Sequence, residues 1–180
     1  LPFSIDTKEQ KLDFDPNKVL YVAAEQPDHL GVTFTYSNGK TSVVKSFQFT
    51  RASYLSEIRS EVTANGVIIP HVLMWRGGFA DNSVHSPWAQ QHSVHFDGSN
   101  NKLVEKTAKD AKNGPFSETG NYTFGGIEDN FFAGVALPID SGSMEVRTYS
   151  DDVKMPGESD PQKYAGVGFA SGGANRISFF

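Results

Sequence analysis

Short runs of alternating apolar residues, cut at close intervals by turn pairs, most narrow the folds open to this chain. Asn38-Gly39, Asn65-Gly66, Asp97-Gly98, Gly114-Pro115, Ser141-Gly142 and Ser171-Gly172-Gly173 punctuate it. Such residues collect where a backbone reverses, because Gly and Asn accept positive φ and Pro cannot donate to a ladder. Short strands at this spacing, with few long helical patterns, predict an all-β chain with few or no helices, folded as an antiparallel sandwich or barrel.

The clearest local unit is "HLGVTFTYSNGKTSVVKSFQF". Leu30, Val32, Phe34 and Tyr36 alternate with small or polar residues, the two-residue period of a half-buried strand. Asn-Gly is the preferred pair for a two-residue hairpin loop, since both positions need positive φ. That loop pairs Tyr36 with Thr41, Phe34 with Val43 and Leu30 with Phe47. Lys45, opposite Val32, is the misfit, and it can snorkel if the strand lies near an edge. In "SYLSEIRSEV", Tyr54, Ile58 and Val62 share a face in either a helix or a strand. Asn65-Gly66 stops that pattern, and Val67, Ile69, Leu73 and Trp75 resume alternation, which favours a second hairpin.

Further strand-like stretches are residues 93–96, 121–124, 130–137, 144–149, 164–170 and 177–180. "NKLVEKTAKDAKNGP" is read as a solvated connector with one or two helical turns, Glu105-Lys109 and Lys106-Asp110 standing at i,i+4. Its Lys102, Lys106, Lys109 and Lys112 are interspersed with acids, which argues against an anionic partner. "SDDVKMPGESDPQK" is a polar loop. No repeat or linker divides the 180 residues, so one domain spans 1–180.

Composition excludes several function classes. Without cysteine there is no thiol catalysis, disulfide or cysteine-ligated metal. A net charge of -5 speaks against nucleic acid as the main partner, because phosphate binding needs a concentrated basic surface. The longest stretch free of strongly polar residues, 131–139, is far short of the ~20 residues of a membrane helix. The start at Leu1 and the stop at Phe180 inside an apolar run are expected of a soluble excerpt from a longer polypeptide.

Candidate chemistry is sparse. His92 and His95 stand three apart, on opposite faces of a strand, and Asp97 beside them belongs to a turn. His29, His71 and His85 lack a partner at ligand spacing, so no metal or cofactor is expected. No G-x-S-x-G or phosphate loop is present, and the glycines after Ser171 read as a hairpin. Arg76-Gly77-Gly78 could cradle an anion or form a tight corner, the corner being favoured. Asn121-Tyr122-Thr123 fits a glycosylation sequon by pattern alone. Glu128 and Asp129 are the most tempting acids, but neighbours on a strand face apart and cannot flank one glycosidic bond. One of them, buried beside Phe131 and Phe132, could serve as a general base. The competing reading of "GGIEDNFFAGVALP" makes Gly125-Gly126 a corner and 128–130 a polar lead-in to a central strand. In that strand Phe132, Gly134 and Ala136 line one face, Phe131, Ala133, Val135 and Leu137 the other, and Pro138 ends the pairing. No catalytic residue is therefore assigned.

At "PHVLMWRGGFADNSV" and "GIEDNFFAGVALP" the chain resembles the large periplasmic domain of the YidC family of bacterial membrane protein insertases. "GKTSVVKSFQFTRASYLSEIRSEV" before them and "YAGVGFASGGANRISFF" after them are also similar, so the likeness covers about residues 30 to 180; the first 28 match weakly. The resemblance implies a twisted antiparallel β-supersandwich in the periplasm, in a parent anchored in the inner membrane. It implies a non-enzymatic role in insertion and folding of inner-membrane proteins, with Sec translocon accessory subunits and nascent membrane proteins as partners. It brings no active-site residues. The same fold resembles galactose mutarotases, so a carbohydrate-binding or sugar-epimerising domain is the alternative, with Trp75 and Trp88 as possible stacking surfaces.

Overall fold

The computed structural model describes residues 2–7, 10–79, 91–139, 143–154 and 159–180. His85, Trp88 and the Ser141-Gly142 turn lie outside the described residues, as does part of the polar loop after Ser150. Two antiparallel sheets stack in a sandwich-like arrangement, and no helix occurs among the described residues. The smaller sheet has the order β1 (Ser4–Asp6), β7 (Val72–Trp75), β14 (Gln162–Ala170), β13 (Met144–Val153), β10 (Phe116–Gly120). The larger begins with β2 (Val22–Glu25), β3 (Gly31–Ser37), β4 (Thr41–Phe49) and β5 (Ser56–Ala64). It continues through β15 (Asn175–Phe179), β12 (Ala133–Pro138), β11 (Tyr122–Glu128), β8 (His92–Asp97) and β9 (Lys102–Lys106), while β6 (Val67–Ile68) pairs only with β5.

Strand β5 explains why the layers form. In "SEIRSEVTA" Ile58, Ser60 and Val62 are buried while the residues between them reach outward, so one face is committed to the core. Ile58 and Val62 meet Val43, Ile127 and Ile177 of the same sheet and Leu73, Val146, Val167 and Phe169 of the other. Each fully buried side chain of this size stabilises the fold by about 1.5–3 kcal/mol before entropy is counted. The sheets approach closely at Gly125, where a Cβ would lie 2.7 Å from Val146 and 3.3 Å from Phe169.

Both Asn-Gly pairs lie in turns, but only the second makes the two-residue hairpin. Asn65 (φ 51°) and Gly66 (φ 78°) join β5 to β6, with Ala64 opposite Val67. Ile69 closes the ladder on the Val62 carbonyl, then Pro70 releases the chain and β7 joins the other sheet. At the first pair only Gly39 has positive φ, because the Asn38 side chain is used as a cap. Its Oδ1 accepts the amides of Lys40 and Thr41 (3.1 and 2.8 Å). The loop is thus longer and the register moves: Tyr36 faces Val43, Phe34 faces Lys45 and Val32 faces Phe47. A two-residue shift preserves which side chains face inward. Lys45 does not snorkel to an edge, since β4 lies two strands in; it donates to the Phe3 carbonyl at 3.2 Å, beside the Tyr21 ring.

Other expectations are corrected in the same way. Tyr54 precedes β5 and is exposed, so it does not share the buried row of Ile58 and Val62. The segment after β9 makes successive i→i+3 turns, with Ala108 and Ala111 buried, rather than helix. The Ser171 to Gly173 turn is no hairpin: β14 and β15 belong to different sheets. Gly125 and Gly126 lie inside β11, opposite Ala136 and Val135. The reversal comes at residues 129–132, where Asp129 Oδ1 accepts the amides of Phe131 and Phe132 (2.8 and 2.7 Å). Those two rings therefore project from a loop instead of lining a strand, and Pro138 remains paired with Ile177. Strand β12 is central, between β11 and β15.

Candidate functional site on the outer face of the large sheet

The open polar chemistry lies on the side of β3, β4, β5 and β15 that turns away from the core. Register aligns Thr33, Ser46, Arg59 and Arg176 in one row across these strands, with Gln48 and Glu57 in the next and Val44 and Glu61 beyond. Arg59 and Arg176 face each other directly, an unfavourable pairing that Glu57 resolves. Its Oε1 accepts Arg176 Nε at 3.0 Å and also the Arg59 guanidinium. These bonds, that from Arg176 foremost, hold the Glu57 carboxyl below its ordinary range.

Two depressions flank Arg59 and share Ser46. One of about 320 Å³ lies between Gln26, Thr33, Gln48 and Glu57, and the other, about 350 Å³, between Val44, Glu61, Ala174 and Arg176. The Gln26 side chain packs over Gly31, where a Cβ would meet it at 2.4 Å. Phe47 is the one ring among the described lining residues, and it packs against the core. The face offers hydroxyls, amides and a balanced charge cluster, a surface suited to hydrogen-bonding rather than to ring stacking.

Directly beneath it lies the nearest thing to a catalytic constellation. Ser60 Oγ and His71 Nε2 are 2.7 Å apart, and His71 Nδ1 lies 3.0 Å from the Ile69 carbonyl. Since a carbonyl only accepts, Nδ1 is the donor and Nε2 accepts the hydrogen bond of the serine hydroxyl, the tautomer a general base would use. Asn175 Nδ2 donates to the His71 carbonyl at 3.0 Å, and Asn175 Oδ1 accepts the Ser171 amide at 2.8 Å. Yet Ser60 and His71 are sealed in the interior, and burial lowers the His71 pKa, keeping the ring neutral. The cluster staples the crossover between β6 and β7 to β5 and β15. A polar Ser60 in an otherwise apolar row was the signal for it in the sequence, since such a residue requires a partner.

The remaining candidates do not converge. His95 faces the core beside Tyr122, with burial lowering its pKa, and its Nε2 stands 3.8 Å from Glu118. His92, on the other face, lies 3.8 Å from Glu128; His29 pairs with Glu25 on the surface at 2.7 Å. Asp97 caps its turn by accepting the Ser99 amide at 2.9 Å. No group of three potential metal ligands occurs among the described residues. Asp129 Oδ1 is taken by the amides of its own loop while Oδ2 is buried without a hydrogen-bond partner, and Phe131 and Phe132 are exposed instead of lining a cleft beside either acid. At Arg76-Gly77-Gly78 the favoured corner is found, with φ of 81° and 64° at the glycines. The anion it holds is the protein's own: Gly77 N donates to Asp151 at 3.0 Å and Arg76 Nε to both its oxygens at 2.9 Å. Trp75 is half-buried, stacked on Phe179 at 5.3 Å, with its indole N–H on the Gly78 carbonyl. Asn121 is exposed between β10 and β11.

No protein-family model matches the chain, and no curated protein matches it.

Proposed function

We propose that this chain is a non-enzymatic binding domain, the large periplasmic domain of a YidC-like membrane protein insertase. In this reading it has the twisted β-supersandwich form, and it supports insertion and folding of inner-membrane proteins by contacting translocon subunits or an extended polypeptide. The observation that carries the proposal is the open outer face around Arg59. Its hydroxyls, amides and charge pairs match the repeating donors and acceptors of a peptide backbone. The ordered motifs at 70–84 and 126–138 support the family reading. The test is photocrosslinking from position 46 or 59 in the full-length parent in membranes. Adducts with translocon components or translocating chains are expected, and their absence from both positions would reject the reading.

The sugar-epimerising alternative needs a glutamate base and a histidine acid on either side of one ring. Glu25 with His29 at 2.7 Å, and Glu118 with His95 and Glu128 with His92 at 3.8 Å each, face each other with no space for a sugar between them. Mutarotation assays and hexose titrations followed by NMR are expected to be blank; rate enhancement or shifts clustered at Glu128 would restore it.

A further inference from the structure

One end of the large sheet, where β4, β15 and β11 finish and β5 and β12 begin, is lined with exposed large apolar side chains. Phe49, Tyr54, Leu55, Phe131, Phe132 and Phe180 are each between 42 and 89% exposed. They are neighbours, not scattered residues. Phe49 and Phe179 both lie opposite Ser56, Val135 and Phe180 exchange two backbone bonds of 2.9 Å, and the Tyr54 and Phe180 rings are 6.3 Å apart. An apolar strip of this size marks a contact surface, whereas the exposed pairs Leu20 with Val22 and Val67 with Ile68 are each only two residues.

We infer that this rim docks on a lipid bilayer, dipping Phe131, Phe132, Tyr54 and Leu55 into the boundary between headgroups and acyl chains. The side chains come from loop tips and strand ends, not from a groove, so they can enter a deformable apolar layer together. The tips are also prepared to leave water. Asp129 takes the amides of Phe131 and Phe132 and gives its own to the Phe132 carbonyl at 2.9 Å. Ser53 Oγ takes the Leu55 amide at 3.1 Å. Entry thus strands few backbone donors, the main obstacle for loops at a membrane. Tyr54 and the exposed Arg51 on the same loop are residue types that settle at headgroup level. With a net charge of -5, attraction to anionic lipid is not the driving force, so binding is hydrophobic and weakly dependent on salt. This rim adjoins the Gln48–Glu57 row but shares no residue with the polar face around Arg59, and it does not depend on the role of that face.

Flotation of the full chain with phosphatidylcholine vesicles tests the inference. A bound fraction little changed between low and high salt is expected. Phe131→Ser/Phe132→Ser should lower partitioning about ten-fold or more, from the apolar area withdrawn. Val67→Ser, equally exposed but remote, should leave it unchanged. Phe131→Trp/Phe132→Trp should keep binding and shift its emission to the blue on vesicles, which separates lost docking from lost folding. No flotation, equal losses in the remote variant, or an emission unaltered by vesicles would overturn the proposal. So would lipid-free self-association abolished by the double serine variant, which would make a second copy the occupant.

Discussion

Ser60 Oγ donates a hydrogen bond to His71 Nε2 in a part of the interior that water does not reach. This bond ties β5, an interior strand of the large sheet, to the point where the chain leaves that sheet. Ser60→Ala would leave a buried imidazole nitrogen unpaired, at a cost of about 1–3 kcal/mol. Urea unfolding at neutral pH measures it.

The same pair makes stability pH-dependent. Burial sets the His71 pKa below its ordinary 6.5, so the unfolded chain takes up the proton first on acidification. The His71 contribution is complete above 6.5 and is lost as pH falls from there towards the lowered folded value. His95 acts in the same direction. Comparing unfolding free energies at neutral and mildly acidic pH, His71→Gln should lose part of the wild-type slope; an unchanged slope would contradict the assignment.

Lys45 is a half-buried ammonium whose main partner is a carbonyl, and burial lowers its pKa. Folding therefore favours its neutral form, and its penalty shrinks as pH rises towards 10.5. Lys45→Met, which keeps the stem and drops the charge, should raise the thermal midpoint by the equivalent of about 1 kcal/mol. A lower midpoint would mean that the bond to Phe3 outweighs desolvation.

At Gly125 the spacing between sheets leaves no room for a methyl group. Gly125→Ala should destabilise by about 1–3 kcal/mol through overpacking against Val146 and Phe169. Gly39→Ala costs through its φ of 89° instead, since nothing lies within 4 Å of the added carbon. Rescue by Val146→Ala is expected for the first and not for the second.

Asp151→Asn removes the charge that Arg76 and the Gly77 amide converge on. A loss of roughly 1–3 kcal/mol follows from weakening charge-assisted bonds at a partly buried site. Hydrogen exchange should report it locally, with faster exchange at Gly77 than at β5.

The strand periods and the Asn65-Gly66 hairpin were legible because they depend on neighbours in sequence. Asn38-Gly39 looked identical, yet its geometry turned on a side chain folding back onto Lys40 and Thr41, which composition does not reveal. Gly125-Gly126 looked like a corner because glycine also serves turns; only the opposing sheet discloses that it was needed for closeness. Strand β10 alternates too weakly in "FSETG" to be noticed without its partner β13. The outer face was hidden for a deeper reason. Thr33, Ser46, Arg59 and Arg176 come from strands whose adjacency includes one pairing over more than a hundred residues, that of β5 with β15.

That pairing has a consequence for how the protein is made. Strand β15 fills the gap between β5 and β12. Until residues 175–179 arrive, the large sheet exists as two separate halves with two bare inner edges, each able to capture a foreign strand. A chain emerging amino-terminus first cannot close its core early. Its two halves can join only after β15 has been made.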